Sequence, residues 1–302
     1  MLNDGGIPHA YGVAPPGFRL PDATHVGAVH LQVSDLQRSV EFYEHVLGLR
    51  RYAATTATAM LGPAGENRPL VSLATRSGVV PARRGAFGLY HFAILLPGRA
   101  ALGRFAAHVS ALGVRVGMAD HLVSESLYLS DPDGLGIEVY ADRPRTTWQH
   151  RGRELAMATD PLDIEGVIAA AGGEAWSGAP IGTTMGHMHL HVGSLDAAEA
   201  FYHRALGFDK TVWSYPGALF YSAGGYHHHL GTNTWSPGPS PAANQARLLE
   251  WELILPDVEG ASAVGRSLQA AGYQTEDAAG GLIAADPWNT RVHVRTSADV
   301  RL

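Results

Sequence analysis

Apolar side chains alternate at Val29, Leu31 and Val33, which predicts a strand with one buried face. The spacing then lengthens: Leu36, Val40, Tyr43 and Leu47 fall on one face of a helix that Gly48 closes. After Gly88 the same two periods return, with a strand through Phe92 to Leu96. Leu102, Phe105, Ala106, Val109 and Leu112 then share one helical face, and Gly113 stops it.

The pattern is a repeat in sequence as well as in period. VGAVHLQVSDLQRSVEFYEHVLGL (Val26 to Leu49) returns as MGHMHLHVGSLDAAEAFYHRALGF (Met185 to Phe208), and the same register carries Leu89 to Pro97 onto Leu248 to Pro256. Gly113 maps onto Gly272 and, after a short gap, Asp131-Pro132 onto Asp286-Pro287. The expected architecture is α+β: four βαβββ units, first to fourth, in two repeated halves. We expect an N-terminal tail over 1–24, a first domain of two units over 25–142, a connector over 143–184 and a second domain over 185–298. DPLDIEGVIAAAGG in the connector predicts a short helix. So long a connector allows units to pair out of sequence order.

Composition narrows the function. At 302 residues the chain is long enough for two domains, and 46% apolar content supplies a core. A net charge of -6 and the lack of a Lys/Arg run argue against nucleic acid or an anionic membrane as partner. The Gly- and Pro-rich start lacks the features of a signal peptide, and no apolar run is long enough to span a bilayer, so a cytoplasmic location is expected. With no cysteine, disulfides, thiolate catalysis and Cys-ligated zinc are excluded.

Several of the 16 histidines sit in apolar, strand-like runs, where a polar ring needs a partner. His91 in LYHFAILL and His187 in MGHMHLHV open their units at homologous places. His189 and His191 share the face of His187. Glu138 in GIEVY is a carboxylate in a strand, where it faces water or needs a metal or a cation.

LYHFAILLP, DHLVSESLYLSDPDGLGIEVY and GHMHLHV resemble the vicinal oxygen chelate superfamily, and within it the type I extradiol dioxygenases. The resemblance covers nearly all of residues 25 to 297 and implies the glyoxalase-like fold of βαβββ units. It implies that His91, Glu138 and His187 ligate iron, that Tyr128 helps hold the substrate, and that His121 in HLVS is the acid–base histidine. The spacing from His121 to Tyr128 is two residues shorter than in the family. A further histidine supporting oxygen activation falls in YHHHLGTNTW, with His228 favoured, His229 next and His227 third.

Departures from the family pattern locate the site. The first unit has Ala28 at the ligand position, and the fourth has Glu250 and His293 where the second has His91 and Glu138. Neither half holds the full set, but the second and third units together do. The middle units are therefore expected to pair around the site, within one chain or across a homodimer, leaving the outer units as a degenerate partner.

The resemblance implies Fe(II), with Mn(II) suited to the same ligands, and an aromatic diol and O2 as reactants. Two alternatives remain: a glyoxalase-like isomerase or lyase, which would want a second carboxylate ligand on the last strand of the third unit, and an antibiotic-binding protein needing no metal.

Overall fold

The computed structural model describes residues 11–66 and 68–298. The first ten residues of the expected tail lie outside them. The first unit comprises β1 (His25–Gln32), α1 (Leu36–His45), β2 (Arg50–Ala54), β3 (Thr58–Gly62) and β4 (Val71–Ala74). The second comprises β5 (Gly88–Leu95), α2 (Arg99–Ala111), β6 (Gly117–Asp120), β7 (Ser124–Ser130) and β8 (Gly136–Asp142). The connector forms a short hairpin, β9 (His150–Arg151) and β10 (Glu154–Leu155), then the short helix α3 (Ile164–Ala169) inside the segment where a helix was expected.

The third unit holds β11 (Thr184–His191), α4 (Leu195–Ala198), β12 (Asp209–Val212), β13 (Ala218–Ser222) and β14 (Leu230–Asn233). Here α4 runs on as a π-helix over Glu199–Ala205, a wider coil than the expected α-helix, in which the consecutive side chains of Phe201, Tyr202 and His203 are all buried. The fourth unit is β15 (Arg247–Leu255), α5 (Val258–Ala270), β16 (Thr275–Ala278), β17 (Gly281–Ala285) and β18 (Arg291–Thr296).

Local chemistry starts and stops the helices in matching ways. Asp35 and Asp257 cap α1 and α5 by accepting the backbone N–H groups of Arg38 and Gly260. Gly48 and its repeat counterpart Gly207 adopt φ of 68° and 100°, the left-handed conformation that ends a helix and disfavours other residues.

The units pair across the halves. One eight-stranded sheet runs β12-β13-β14-β11-β5-β8-β7-β6, built from the third and second units, and we call it the inner sheet. The outer sheet runs β16-β17-β18-β15-β1-β4-β3-β2, from the fourth and first. Each is centred on an antiparallel pair of first strands, β5 with β11 and β1 with β15. The crossed pairing thus forms within a single chain.

Repeated residues tie the two sheets together. Tyr43 Oη donates to Asp131 Oδ2 at 3.4 Å and Tyr202 Oη to Asp286 Oδ2 at 2.8 Å. Each aspartate uses its other oxygen to accept two backbone N–H groups of its own turn. Both tyrosines are fully buried, and Tyr43 stacks on Phe92 with centroids 6.5 Å apart. The repeat therefore records one device used twice: a helix of one sheet anchored to a turn of the other. Among the described residues no helix is long and apolar enough to cross a membrane.

Candidate metal centre

The register of the inner sheet brings three chemistry-bearing side chains around Ala93. His187 on β11 lies opposite Ala93, and Glu138 on the parallel neighbour β8 pairs with Ala93 from the other side. His91 precedes Ala93 by two residues and so faces the same way. Because Ala93 carries only a methyl group, the longer side chains converge above it. Glu138 Oε2 is 3.0 Å from His91 Nε2 and 3.1 Å from His187 Nε2, and the three ligand atoms lie within 4.8 Å of one another. All three residues are buried.

The electrostatics suit a cation. Burial pushes the His91 and His187 imidazoles below their usual range, against the pull of Glu138, so both are neutral near pH 7. Burial alone would raise Glu138, but its close contacts with His187 and His91 overturn that and hold it well below the usual carboxylate range. Neutral imidazoles and an ionised carboxylate are the protonation states that metal ligation requires. The His91 Nε2 contact with Glu138 lacks hydrogen-bond alignment, leaving that buried nitrogen without a partner, as is His189 Nε2 close by. Orphaned nitrogens of this kind cost stability unless something else binds them. The trio therefore fits a divalent ion held by two histidines and one carboxylate on one side.

A cavity of about 270 Å³ opens beside the trio and is also lined by His121, Tyr128 and His228. His121 Nδ1 is 2.6 Å from the Ala158 carbonyl, which can only accept, so Nδ1 carries a proton. In the neutral ring Nε2 is then an acceptor, and it receives the Tyr128 hydroxyl at 2.6 Å. The short spacing between these two residues is met by the β6–β7 turn, where Leu122 takes a φ of 70°. Burial raises the Tyr128 phenol well above its usual range, so it is held as a donor.

Of the neighbouring histidines, His228 faces this cavity, its ring 4.1 Å from that of His187. His229 does not, which corrects the expectation that it stands next in line. Its backbone already joins the ladder between β13 and β11, and adjacent residues of an extended chain project to opposite sides. The His229 ring packs on Tyr226 instead, and its Nδ1 accepts the Ala223 N–H at 3.1 Å. His227 bridges His228 Nδ1, at 2.7 Å, and Asp142 Oδ1, at 2.9 Å.

Some participants had weaker signals. Ser126 Oγ donates to Glu138 Oε1 at 2.6 Å, fixing the carboxylate; its place two residues before Tyr128 on the same strand face was the available clue. His189 is buried in the cavity wall opposite His91. Met157, Ala158 and Thr159 of the connector also line the cavity, held there by the Asp120–Asp160 bridge, and nothing in their spacing marks them.

Two comparisons bear on this arrangement. The family model described as Glyoxalase/Bleomycin resistance protein/Dioxygenase superfamily matches residues 24–139. The chain is 44% identical over 270 residues to a protein named catechol-2,3-dioxygenase from Bacillus subtilis, covering 87% of this chain and 94% of that one. The chain belongs to this superfamily. Solved structures of the superfamily's fold superpose over most of the chain. A putative dioxygenase from Bacillus subtilis matches at a TM-score of 0.62 and 14% identity, covering 92% of this chain and 86% of that chain. Glyoxalase I from Zea mays matches at 0.54 and 18% identity, covering 92% and 94%. At such identities they speak to the superfamily fold and not to its chemistry here.

Proposed function

We propose that the protein is a metal-dependent extradiol dioxygenase that cleaves catechol-type aromatic diols with O2. The observation that carries this reading is the convergence of His91, Glu138 and His187 beside a cavity that also receives His121, Tyr128 and His228. The similarity to a protein named catechol-2,3-dioxygenase supports it.

His91, Glu138 and His187 would hold the ion, and Ser126 keeps the carboxylate oriented. Bound there, Fe(II), or Mn(II) on the same ligands, supplies the redox centre through which an electron-rich diol reacts with O2. The remaining work falls to the chain. Tyr128 donates its hydroxyl proton to His121 Nε2, so its oxygen accepts from a diol hydroxyl, and the proton that hydroxyl gives up on binding would pass through Tyr128 to His121 Nε2. His228, kept neutral by burial and by His187 and His227, presents an imidazole on the opposite wall. Both atoms of O2 end in the product, a ring-opened hydroxymuconic semialdehyde type of compound, as the carbon–carbon bond beside the diol breaks.

The isomerase reading wants a second carboxylate in this cavity. Glu250 and Glu252 belong to the outer sheet, and Glu138 is the only acid lining the cavity among the described residues. Oxygen uptake with a panel of catechols by the Fe(II)-loaded protein, followed together with the appearance of a yellow product, tests the proposal. Uptake lost in His187→Ala is expected; absence of uptake with every diol overturns it.

A further inference from the structure

The metal trio occupies part of the cavity wall, and the rest is made of different material. Met157 comes in from the connector, with Tyr215, Phe220 and Trp235 from the third unit. The polar atoms on this side satisfy each other: Thr159 Oγ1 and Tyr215 Oη lie 2.7 Å apart. Among the described residues lining the cavity, none is Lys or Arg. Trp235 is 46% exposed, so the apolar wall extends to solvent and forms the entrance.

Arginines do gather nearby, but elsewhere. Arg83, Arg84, Arg115 and Arg247 line a separate groove of about 860 Å³, and Tyr90, His91 and Tyr128 border both spaces. With the diol at the trio, a ring substituent held within this cavity lies against thioether and aromatic surface, while the guanidinium groups line the other space. A divalent ion, the Glu138 carboxylate and a singly ionised diol already cancel in charge. A carboxylate on the substituent would be desolvated there with no cation to meet it.

We propose that this site selects catechols bearing an uncharged, apolar substituent and discriminates against carboxylated ones. The inference rests on the proposed diol cleavage and adds to it the chemistry of the substituent pocket, formed by Met157, Tyr215, Phe220 and Trp235.

The matched pair for the test is 3,4-dihydroxyphenylacetate and its methyl ester, with 4-ethylcatechol as a second neutral diol. Affinity is measured by anaerobic titration of the Fe(II)-loaded protein, where no turnover occurs, and oxygen uptake is measured separately. The ester and 4-ethylcatechol are expected to bind about 100-fold more tightly than the acid, the loss expected for an unpaired charge in an apolar site. Trp235→Arg, which places a cation at the exposed entrance, is expected to tighten the acid about 10-fold relative to the ester. Equal affinity for acid and ester overturns the proposal while leaving ring cleavage standing. Tight binding of the neutral diols without oxygen uptake overturns ring cleavage and leaves the substituent preference standing. Failure of every diol to bind overturns both.

Discussion

The inner and outer sheets are built from the same repeat and differ at the point where a metal would sit. In the inner sheet His187 stands opposite Ala93; at the matching places in the outer sheet stand Ala28 and Glu252. The bulky partner has changed strands, and its carboxylate fills the space. Glu252 Oε2 accepts the Ala28 N–H at 3.0 Å, and Oε1 takes Arg295 at 2.6 Å and His30 at 3.3 Å. His30 is the counterpart of His189, whose Nε2 has no partner. Glu250 and His293, which replace His91 and Glu138, meet each other at 3.4 Å.

The difference shows what opens this scaffold to a metal. Both sheets bury a glutamate, and both hold it ionised. In the outer sheet burial would raise Glu252, yet His30 and Arg295 pull it down to about 2. In the inner sheet the same service falls to two imidazoles that burial keeps neutral. A permanent guanidinium closes the outer site, whereas the inner one keeps a carboxylate whose positive partner must come from outside.

The comparison can be broken most strongly by transplanting the outer solution. Ala93→Glu should fill the inner site, abolish iron binding and lower kcat/KM by at least about 1000-fold, since the bound ion supplies several kcal/mol of the barrier reduction. Iron content and oxygen uptake read it. The next largest effect is expected at His228, where His228→Ala should lower kcat/KM about 100-fold with iron retained, the scale of an imidazole lost from the reacting cavity. His229→Ala should leave kcat/KM unchanged because that ring faces Tyr226.

Opening the outer site should do the reverse. Arg295→Met strands the Glu252 carboxylate, so urea unfolding should show a loss of about 3 kcal/mol, with iron content unaltered.

A smaller effect is read through pH. Burial raises Asp131 to about 6, so the folded state holds its proton where the unfolded chain, near 3.9, has lost it. Its contribution is therefore most favourable below about pH 4 and is lost as pH rises to 6, on the order of 2 kcal/mol. Asp131→Asn should flatten that slope in unfolding experiments across the window; an unchanged slope contradicts the assignment.

Much of this was legible in the sequence because the repeat gave each position a partner for comparison. Ala28 against His187 revealed that the first half lacks a ligand, and with Glu250 and His293 in the fourth unit it implied the crossed pairing of units. His91 and Glu138 were legible because a polar group in an apolar strand calls for a partner. The choice between His228 and His229 was not, since either of two adjacent residues can face inward until the strand register is known. The connector residues Met157 to Thr159 have no period to betray them, and their place in the cavity depends on the long-range Asp120–Asp160 bridge.

The central claim is that Ala93 leaves open a metal site that Glu252 fills in the other sheet. Anaerobic reconstitution with Fe(II), followed by iron analysis of folded wild-type and Ala93→Glu protein, tests it directly. The account predicts equimolar iron in the wild type and none in the variant. Equal iron in both, or none in the wild type, would contradict it.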